Sequence, residues 1–440
     1  MCIYNYRNSF GGISILNKKY ILYGLGVGNL SVKEYFIKNN VKYIEYIDGN
    51  KIPHNIFDNI DYVIKSSGIK FNTEFLKLAY KNNIKVISDL ELYYLLNEKD
   101  EFIIVTGTNG KTTTSTLISN LLNDAMICTS GVYGNIGTPL FSKLENGLTI
   151  VEASSFMLHN CYKTKPHIYI ITSLIPHHLD YHIKEEDYFH DKLKIINNME
   201  ENDYLIYNLD YDNITNNLTK YKCKILTYSL KDSNADIYIK DDIVIFNKKE
   251  IINIKDVKRN EPHNLENMLA TILIGLIYNI DISNIKNSLI NFKGIEHRLE
   301  YLVENNNYII INDSKSTSPA SLEKAIDSIM VKNYNKYFKI LILGGKIVDQ
   351  NYNNVNNKLS IFDNIFIYGK DKFIYCKYIK HNKLFLFNTL DELIIFIKNK
   401  VNKPLLILFS PSSPSYDLYD NFEERGKHLK NLIFYHNFCK

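Results

Sequence analysis

Residues 105–114 read VTGTNGKTTT, a stretch whose glycines, lysine and threonines suit the binding of a phosphate group. Gly107 and Gly110 let the backbone approach an anion without a Cβ in the way, and Lys111 neutralises negative charge. The hydroxyl of Thr112 is a ligand for Mg²⁺ in such loops. The general pattern G-x-x-x-x-G-K-[ST] requires glycine where this stretch begins with valine, so the match is incomplete. The alternative is a glycine- and threonine-rich turn with an exposed lysine.

A phosphate loop needs a buried strand before it and a helix after it, because the start of the helix points its N–H groups and its dipole at the anion. The strand FIIV precedes the loop, and a helix is predicted from Lys111 to about Leu122. TIVE, IYIIT and YLIYN predict further buried strands, and a long helix is predicted from about His263 to Tyr278. A phosphate loop alone still leaves GTPase, kinase, motor and ligase open.

The alternation of strands and helices continues on both sides of this region. KYILYGLGVGNL predicts a strand at Lys19–Tyr23, a glycine turn and a helix from about Ser31 to Asn39, and KYIEYI predicts the next strand. After Arg298, the strands YIIIND, KILILGG, NIFIYG and LLILF precede a last helix at about 421–433. We expect an α/β protein with a Rossmann-like domain at 1–99, a central P-loop mononucleotide-binding domain at 100–297 and a C-terminal Rossmann-like domain at 298–440.

The composition narrows the class of protein. The net charge of +4 is spread along the chain without a basic block, so nucleic acid is not an expected partner. Cysteines at 2, 128, 161, 223, 376 and 439 form no CxxC pair, which predicts neither a zinc site nor a disulfide framework. The apolar run Leu269–Tyr278 is shorter than a membrane span, and the start MCIYNYRN lacks the apolar region of a signal peptide. We expect a cytoplasmic protein without membrane insertion, and a monomer.

Further motifs follow the loop in a fixed order. They are GNIGTPL (134–140), VEASSF (151–156), HHLDYH (177–182), DKLKI (191–195), HNLEN (263–267), HRLE (297–300), NDSKST (312–317) and SPSSPSYDLYDNFEERG (410–426). With TGTNGKTT, this set resembles the Mur ligases and the folylpolyglutamate ligases along nearly all of the chain. The last three motifs are most similar to the branch of the Mur ligase family that adds D-glutamate.

The resemblance implies ATP-dependent amide bond formation in peptidoglycan precursor synthesis. The terminal carboxylate of UDP-N-acetylmuramoyl-L-alanine would receive the γ-phosphoryl group of ATP, and the amine of D-glutamate would attack the acyl phosphate. Phosphorylation supplies a leaving group that a carboxylate lacks, so the protein must mainly position the reactants and neutralise charge. The first domain would bind the UDP substrate, the central domain would act as the ATPase, and the third would bind the amino acid and part of the nucleotide.

The resemblance also assigns the catalytic residues. Lys111 would contact the β- and γ-phosphates, and Thr112 would bind one Mg²⁺. Glu152, at the end of its strand, would help hold magnesium, and His178 would bind a second Mg²⁺. Asn135 would orient the substrate carboxylate. Without the resemblance, Glu152 would be interpreted as a capping or solvated carboxylate and His178 as a structural histidine.

Lys192 would be carbamylated by CO₂ and would become a carboxylate-like ligand of the second metal. This requires a neutral amine, and hence burial or nearby cations that lower its pKa. Otherwise Lys192 would be a solvated lysine of a helix. The residues implied to bind ATP are Gly107, Thr108, Asn109, Gly110, Lys111, Thr112, Thr113, Asn264, Asn267, Arg298, Asp313 and Lys315. Those implied to bind the UDP substrate are Gly24, Gly26, Gly28, Asn29, Asp48 and Ser67, and those implied for D-glutamate are Thr317, Ser415 and Phe422.

The sequence departs from the family pattern in both substrate regions. In GLGVGN, Asn29 stands where a dinucleotide fingerprint has its third glycine, and Ser67 stands where the family commonly has proline. In GGKIVDQN (344–351), Ile347 and Val348 replace an Asp and a Lys, the latter serving the glutamate site in the family. Either Lys346 reaches that site or the pocket takes another amino acid.

Alternative functions stay open at this point. A related ligase could use a different acceptor, such as a folate, or a different amino acid. A nucleotide-dependent switch or a non-catalytic nucleotide-binding relative belongs to another class. A protein kinase is excluded because the sequence has no kinase catalytic-loop motif.

Overall fold

The computed structural model describes residues 15–128, 131–135, 138–143, 147–178, 181–182, 184–218, 221–257, 259–292, 294–330, 332, 334–400 and 404–438. The N-terminal MCIYNYRN, the cysteines at 2 and 439, and parts of the GNIGTPL and HHLDYH motifs (136–137 and 179–180) lie outside these ranges. The chain divides into two compact units, one ending at Phe292 and the other following it. The predicted domain boundaries near 99 and 297 stay predictions.

The first unit begins with a parallel sheet in the order β2-β1-β3-β4. Its strands are β1 (Lys19–Tyr23), β2 (Lys42–Tyr46), β3 (Tyr62–Lys65) and β4 (Lys85–Ile87), and its helices are α1 (Val27–Lys38), α2 (Glu74–Lys81) and α3 (Asp89–Leu96). Helix α1 begins about one turn before the predicted start near Ser31. The prediction assigned Gly28 to a turn. In the structure Gly28 lies in the first turn of α1, packed so closely that a Cβ would lie 2.5 Å from Asp89 Oδ2.

The same unit contains a second sheet in the order β13-β12-β11-β10-β9-β8-β5-β7-β6. Its strands are β5 (Phe102–Thr106), β6 (Val132–Gly134), β7 (Thr149–Glu152), β8 (Ile168–Ile171), β9 (Tyr204–Asn208), β10 (Lys224–Ser229), β11 (Ile237–Lys240), β12 (Ile243–Phe246) and β13 (Lys249–Asn253). Its helices are α4 (Lys111–Asp124), α5 (Ser155–Leu158), α6 (Glu185–Leu193), α7 (Asp212–Thr215), α8 (Pro262–Ile277) and α9 (Ile282–Asn291), with 3₁₀ turns at Leu140–Ser142, Lys194–Asn198 and Ile254–Asp256.

The predicted strands FIIV, TIVE, IYIIT and YLIYN are confirmed as β5, β7, β8 and β9 of this second sheet. They pair in parallel and are almost fully buried, because helices cover both faces of a parallel sheet. The antiparallel extension through β12 and β13 was not predicted. Its strands are short and partly exposed, so they lack the continuous apolar runs of the buried strands.

The second unit has one mixed sheet in the order β14-β15-β19-β16-β17-β18. Its strands are β14 (Glu300–Glu304), β15 (Tyr308–Asn312), β16 (Phe338–Gly344), β17 (Asn364–Tyr368), β18 (Leu384–Phe387) and β19 (Leu405–Ser412). Its helices are α10 (Pro319–Met330), α11 (Asn353–Asn356), α12 (Lys372–Tyr378), α13 (Leu390–Lys400) and α14 (Phe422–Tyr435), with a 3₁₀ turn at Leu359–Ile361. Only the edge strand β14 is antiparallel. The predicted α/β class is confirmed.

Among the described residues, no helix is both long and apolar enough to cross a membrane.

A buried carboxylate ties helix α3 to the second sheet of the first unit. Glu91 is 2% exposed, and its oxygens accept hydrogen bonds from the backbone N–H groups of Tyr162, Lys163 and Thr164 at 2.8–3.0 Å. The hydroxyl of Thr164 donates a fourth bond at 2.6 Å. Bonds to a charged acceptor are stronger than neutral ones, so this side chain fixes the connection between the two sheets.

Replacing Glu91 with alanine should lower the free energy of unfolding by about 3 kcal/mol, because it leaves buried N–H groups without an acceptor. Urea denaturation followed by circular dichroism measures the change. Glu45→Ala is the matched control, since Glu45 forms a partly exposed ion pair with Lys33 and its loss should cost less than about 1 kcal/mol. Equal losses in the two variants would contradict this role of Glu91.

Candidate active site

The predicted phosphate loop lies between β5 and α4, and its glycines are required by its shape. Gly107 has φ +146° and Gly110 has φ +84°. A Cβ on Gly107 would lie 2.1 Å from Thr172 Oγ1, and one on Gly110 would lie 2.6 Å from Asn267 Oδ1. Helix α4 begins directly after the loop at Lys111, so its first N–H groups face the loop. This is the geometry of an anion site at a helix N-terminus.

Residues after β8 hold the loop in this shape. Thr108 donates its N–H to Ser173 O at 3.0 Å, and Asn109 donates its N–H to Ser173 Oγ at 2.9 Å. Thr172 Oγ1 donates to Asn109 O at 2.5 Å. The hydroxyls of Thr108 and Tyr188 lie 2.9 Å apart, which connects the loop to α6. Thr172, Ser173 and Tyr188 were not predicted, because they belong to the site only through the pairing of β5 with β8 and the packing of α6.

Two lysines converge on one carbonyl of the loop. Lys111 Nζ donates to Gly107 O at 2.8 Å and to Thr108 O at 3.0 Å. Lys192 Nζ, from α6, donates to Gly107 O at 3.1 Å and to Thr106 Oγ1 at 3.1 Å. Lys192 is almost fully buried, and burial and the charge of Lys111 together hold the pKa of its amine well below the usual value. Both effects favour the neutral form of the amine, which carbamylation requires.

Glu152 and Asn135 meet at the ends of β7 and β6. Glu152 is fully buried, and its Oε1 accepts a hydrogen bond from Asn135 Nδ2 at 3.0 Å. Among the described residues, its Oε2 has no hydrogen-bond partner. Gly134 makes this approach possible, since a Cβ there would lie 2.6 Å from Glu152 O. A buried carboxylate oxygen without a partner fits a cation better than a structural role.

The described residues show no group of three His, Cys, Asp or Glu side chains that could hold a metal alone. Mg²⁺ is commonly bound by one or two carboxylates together with substrate phosphates and water, so Glu152 and the hydroxyl of Thr112 remain fitting ligands. Thr112 lies in the first turn of α4, next to Lys111.

His178 lies on the surface of the first unit in a left-handed conformation, φ +56°. Its carbonyl accepts the N–H groups of Tyr181 and His182, both at 2.9 Å. Its ring centroid lies 4.9 Å from that of Phe156, which belongs to the VEASSF motif that begins next to Glu152. The structure thus brings the VEASSF and HHLDYH motifs into contact through Phe156 and His178.

The predicted asparagines of α8 differ in their surroundings. Asn267 is buried against the loop, and its Oδ1 accepts a hydrogen bond from Thr114 Oγ1 at 3.0 Å. Asn264 is partly exposed and donates to Glu261 Oε2 at 2.8 Å. Thr113 is buried within the first turn of α4. Asn267 therefore packs against the loop at Gly110 and limits the space there.

The predicted substrate residues of the first sheet form two groups. Cβ atoms on Gly24 and Gly26 would collide with Ile69 Cδ1 and Ser66 Oγ, both at 2.4 Å, so the glycine turn packs against the turn after β3. Asn29 is buried in this group and donates its amide to three backbone carbonyls at 2.8–3.2 Å. Ser67 lies partly exposed in the turn after β3.

Asp48 belongs to the second group and lines a cavity of about 770 Å³. Its carboxylate accepts a hydrogen bond from the hydroxyl of Tyr23, which also donates to Thr73 Oγ1 at 3.0 Å. The cation of Lys51 and the side chain of His54 also line this cavity. The cavity therefore offers an anchored carboxylate and nearby positive charge to a polar ligand.

In the second unit, a buried aspartate organises the predicted nucleotide residues. Asp313 accepts hydrogen bonds from Ser410 Oγ at 2.8 Å and from the N–H of Leu299 at 3.2 Å. Burial raises the pKa of its carboxyl group to about 7, against the opposing effect of Arg298 and Arg425. Arg298 itself is exposed.

The predicted amino-acid residues lie on loops at the end of β15 and around the start of α14. Lys315 Nζ lies 5.9 Å from the ring centroid of Phe422, and the Phe422 carbonyl accepts the hydroxyl of Ser314 at 2.8 Å. The buried guanidinium of Arg425, which was not predicted, donates to Ser314 Oγ at 3.0 Å. Ser415 is buried and Thr317 is exposed.

Lys346, Ile347 and Val348, where the sequence departs from the family pattern, follow β16 and lie beside the loop that contains Ser415. The N–H of exposed Lys346 donates to Pro414 O at 2.8 Å, and the N–H of Ile347 donates to Asp371 Oδ2 at 2.9 Å. Ile347 packs against the core, whereas Val348 is 70% exposed. Lys346 is thus fixed by its backbone next to the predicted pocket.

Comparison with known proteins identifies the family to which the chain belongs. The Mur ligase middle domain matches residues 105–275. The UDP-N-acetylmuramoylalanine–D-glutamate ligase of Staphylococcus haemolyticus (strain JCSC1435) is 32% identical over 391 residues, which are 87% of this chain and 85% of that protein. The chain belongs to the Mur ligase family. The ligase of the same name from Staphylococcus aureus (strain MSSA476) is 33% identical over 385 residues, 85% of this chain and 83% of that protein.

Solved structures of Mur ligases share the fold. UDP-N-acetylmuramate-alanine ligase MurC from Thermotoga maritima has a TM-score of 0.60 at 17% identity, covering 94% of this chain and 99% of that one. MurF ligase from Thermotoga maritima in complex with ADP has a TM-score of 0.54 at 15% identity, with the same coverage of 94% and 99%. As a Mur ligase, the protein is an enzyme of an ATP-dependent family that forms amide bonds, so the predicted family and enzyme class are confirmed.

Replacing Gly110 with alanine in this Mur ligase should weaken nucleotide binding at least tenfold, about 1.4 kcal/mol, because the new Cβ strains the loop and collides with Asn267. Titration of a fluorescent ATP analogue measures the affinity. Gly131→Ala is the control, because a Cβ at Gly131 meets no heavy atom within 4 Å. Unchanged affinity of the Gly110 variant would show that the loop does not hold the nucleotide.

Proposed function

We propose that this Mur ligase joins D-glutamate to UDP-N-acetylmuramoyl-L-alanine in peptidoglycan precursor synthesis, at the expense of ATP. The observation that carries the proposal is the 32% identity over 87% of the chain to ligases named for this reaction. The arrangement of Lys111, Asn135, Glu152 and Lys192 around one phosphate loop supports it.

The reaction has two steps. A carboxylate oxygen of the acceptor attacks the γ-phosphorus of ATP, and ADP leaves with the electrons of the broken P–O bond. The amine of D-glutamate then attacks the acyl carbon, inorganic phosphate leaves, and the amine loses a proton. Charge neutralisation and positioning are the main contributions of a protein to phosphoryl transfer.

Lys111 and the start of α4 would bind the phosphates, because they present a cation and helix N–H groups at the loop. Asn135 would orient the acceptor carboxylate next to Glu152, to which it is hydrogen-bonded. Thr112, Glu152, His178 and carbamylated Lys192 would hold two Mg²⁺ ions. When bound, these ions would supply positive charge to the transferring phosphoryl group.

Carbamylation of Lys192 would join its neutral amine to CO₂ and release one proton. The modification would place an anion at Lys192, beside the cation of Lys111. Burial and the charge of Lys111 lower the pKa of Lys192 in the unmodified protein, and the new anion would replace the repulsion from Lys111 with attraction.

The remaining site residues take the roles that the family resemblance implies. Asn264, Asn267, Arg298, Asp313 and Lys315 would bind ATP with the loop. Gly24, Gly26, Gly28, Asn29, Asp48 and Ser67 would bind the UDP group, and Thr317, Ser415 and Phe422 would bind D-glutamate. The corresponding domains are 1–99, 100–297 and 298–440. We also propose a cytoplasmic location, since ATP and a UDP-linked acceptor are its substrates, and the monomer stays a prediction.

The choice of amino acid rests on the loop after β16. D-glutamate carries a second carboxylate, which needs a cation or several donors in its pocket. Val348 offers neither, whereas Lys346 is held beside the Ser415 loop by its backbone bond to Pro414. We assign the cationic role in this pocket to Lys346.

Phosphate release in the presence of ATP and Mg²⁺ should require both UDP-N-acetylmuramoyl-L-alanine and D-glutamate. The assay compares D-glutamate with L-glutamate, D-aspartate, L-lysine and glycine, and replaces the acceptor with a folate in a parallel series. Phosphate release without acceptor would contradict the ligase mechanism. Faster release with another amino acid would contradict D-glutamate as the substrate.

Replacing Lys192 with alanine should reduce turnover by about a hundredfold, and acetate or formate should restore part of it by supplying the missing carboxylate. Ligase rates with and without the acids measure the effect. Lys194→Ala is the control, since Lys194 Nζ instead bonds the carbonyl of His159, and acids should not change its rate. Full activity of the Lys192→Ala variant would contradict the carbamate.

A further inference from the structure

A buried lysine in the first unit lies outside the set of site residues. Lys65 ends strand β3, is 2% exposed, and donates three hydrogen bonds from Nζ. The acceptors are Ile69 O at 2.7 Å, Tyr181 OH at 2.9 Å and Ser66 O at 3.1 Å. The Tyr181 hydroxyl donates in turn to Ile69 O at 2.8 Å. Lys65 and Tyr181 therefore close a ring of hydrogen bonds on the turn after β3.

This lysine is costly to bury. Within the described residues, no carboxylate lies within ion-pair distance of its Nζ, and burial lowers the pKa of the amine to about 8 although Asp89 and Asp191 oppose the shift. A buried cation without a direct counterion stabilises a fold poorly. The hydrogen bonds of Lys65 are therefore better explained by the groups that they hold in place than by a contribution to the stability of the fold.

On one side, Lys65 holds the turn that supports the predicted diphosphate loop. Ser66 and Ile69 are its acceptors, and the same residues leave no room for a Cβ on Gly26 and Gly24 respectively. A shift of the turn would therefore shift the glycine loop against which it packs.

On the other side, Lys65 holds Tyr181, which supports His178. The N–H of Tyr181 donates to His178 O at 2.9 Å. The ring of Tyr181 lies 4.1 Å from that of Phe156, and the ring of Phe156 lies 4.9 Å from that of His178. A histidine at φ +56° is an uncommon conformation that needs such surrounding support.

We propose that Lys65 is a positioning residue of the ligase, which acts through Tyr181 to set His178 relative to the substrate loop of the first sheet. The inference rests on the proposed function, because it assigns His178 to the metal of that reaction. The inference connects the glycine loop GLGVGN, proposed to bind the acceptor, with His178 of the HHLDYH motif, proposed to bind the metal. Lys65 is almost fully buried, and the three hydrogen bonds of its Nζ go to Ser66 O, Ile69 O and Tyr181 OH, so we assign it a role in placement.

The test compares Lys65→Met and Tyr181→Phe with the conservative variant Lys65→Arg and with Lys33→Met. Lys65→Met removes the donors at nearly constant length, and Tyr181→Phe removes only the hydroxyl. Lys33→Met removes a lysine of helix α1 that forms a partly exposed ion pair with Glu45. Each variant is measured for kcat, for KM of each substrate, for Mn²⁺ binding in the presence of ADP by electron paramagnetic resonance, and for its thermal unfolding midpoint.

We expect Lys65→Met and Tyr181→Phe to lower kcat and weaken Mn²⁺ binding by about tenfold to a hundredfold. KM for ATP should stay within about twofold, Lys65→Arg should recover part of the loss, and Lys33→Met should match the wild type. Tyr181→Phe keeps its ring packing, so its result is decisive if Lys65→Met unfolds.

Wild-type kcat and Mn²⁺ binding in Tyr181→Phe would overturn the inference, as would losses that only follow the unfolding midpoint. Failure of the proposed function is distinguishable, since the wild-type enzyme would then show no turnover with UDP-N-acetylmuramoyl-L-alanine and D-glutamate. The Mn²⁺ measurement continues to test Lys65 in that case.

Discussion

The carbonyl oxygen of Gly107 accepts hydrogen bonds from Lys111 and Lys192, and this sharing of one acceptor by two lysines constrains the candidate active site. Two ammonium groups that converge on one acceptor repel each other, which favours the loss of one charge or the presence of a compensating anion. Burial selects Lys192 for that change, because Lys111 lies at the more open start of its helix. Among the described residues, Oε2 of Glu152 has no hydrogen-bond partner, so a cation would fit beside this buried oxygen.

Much of the centre could be predicted because its chemistry lies in short contiguous motifs. The phosphate loop, Glu152 at the end of β7 and Lys192 on α6 were all located from sequence, and the buried parallel strands were recognised by their apolar runs. Thr172, Ser173 and Arg425 could not be found in this way. They act through strand pairing and loop packing with residues far away in the chain, and their own neighbours in sequence carry no signal of it.

Errors at the edges of elements have a similar physical origin. Helix α1 was predicted to start too late because glycines suggest a turn, whereas Gly28 is needed inside the helix for close packing on Asp89. The antiparallel strands of the second sheet and strand β14 are short and half-exposed, so alternation over four or five residues did not distinguish them from loops. The connection of Lys65 to Tyr181 spans two sheets and has no counterpart in local sequence.

The two edge strands of the second sheet of the first unit, β6 and β13, differ in length and charge. Strand β6 at one edge has three residues, and β13 at the other begins with exposed Lys249 and Glu250 beside an irregular register with β12. Long, flat, apolar edges recruit strands from other molecules, whereas short, charged or irregular edges do not. A chain this rich in isoleucine and tyrosine thus has its most apolar strands in the middle of the sheet, which protects the folded protein from edge-to-edge aggregation.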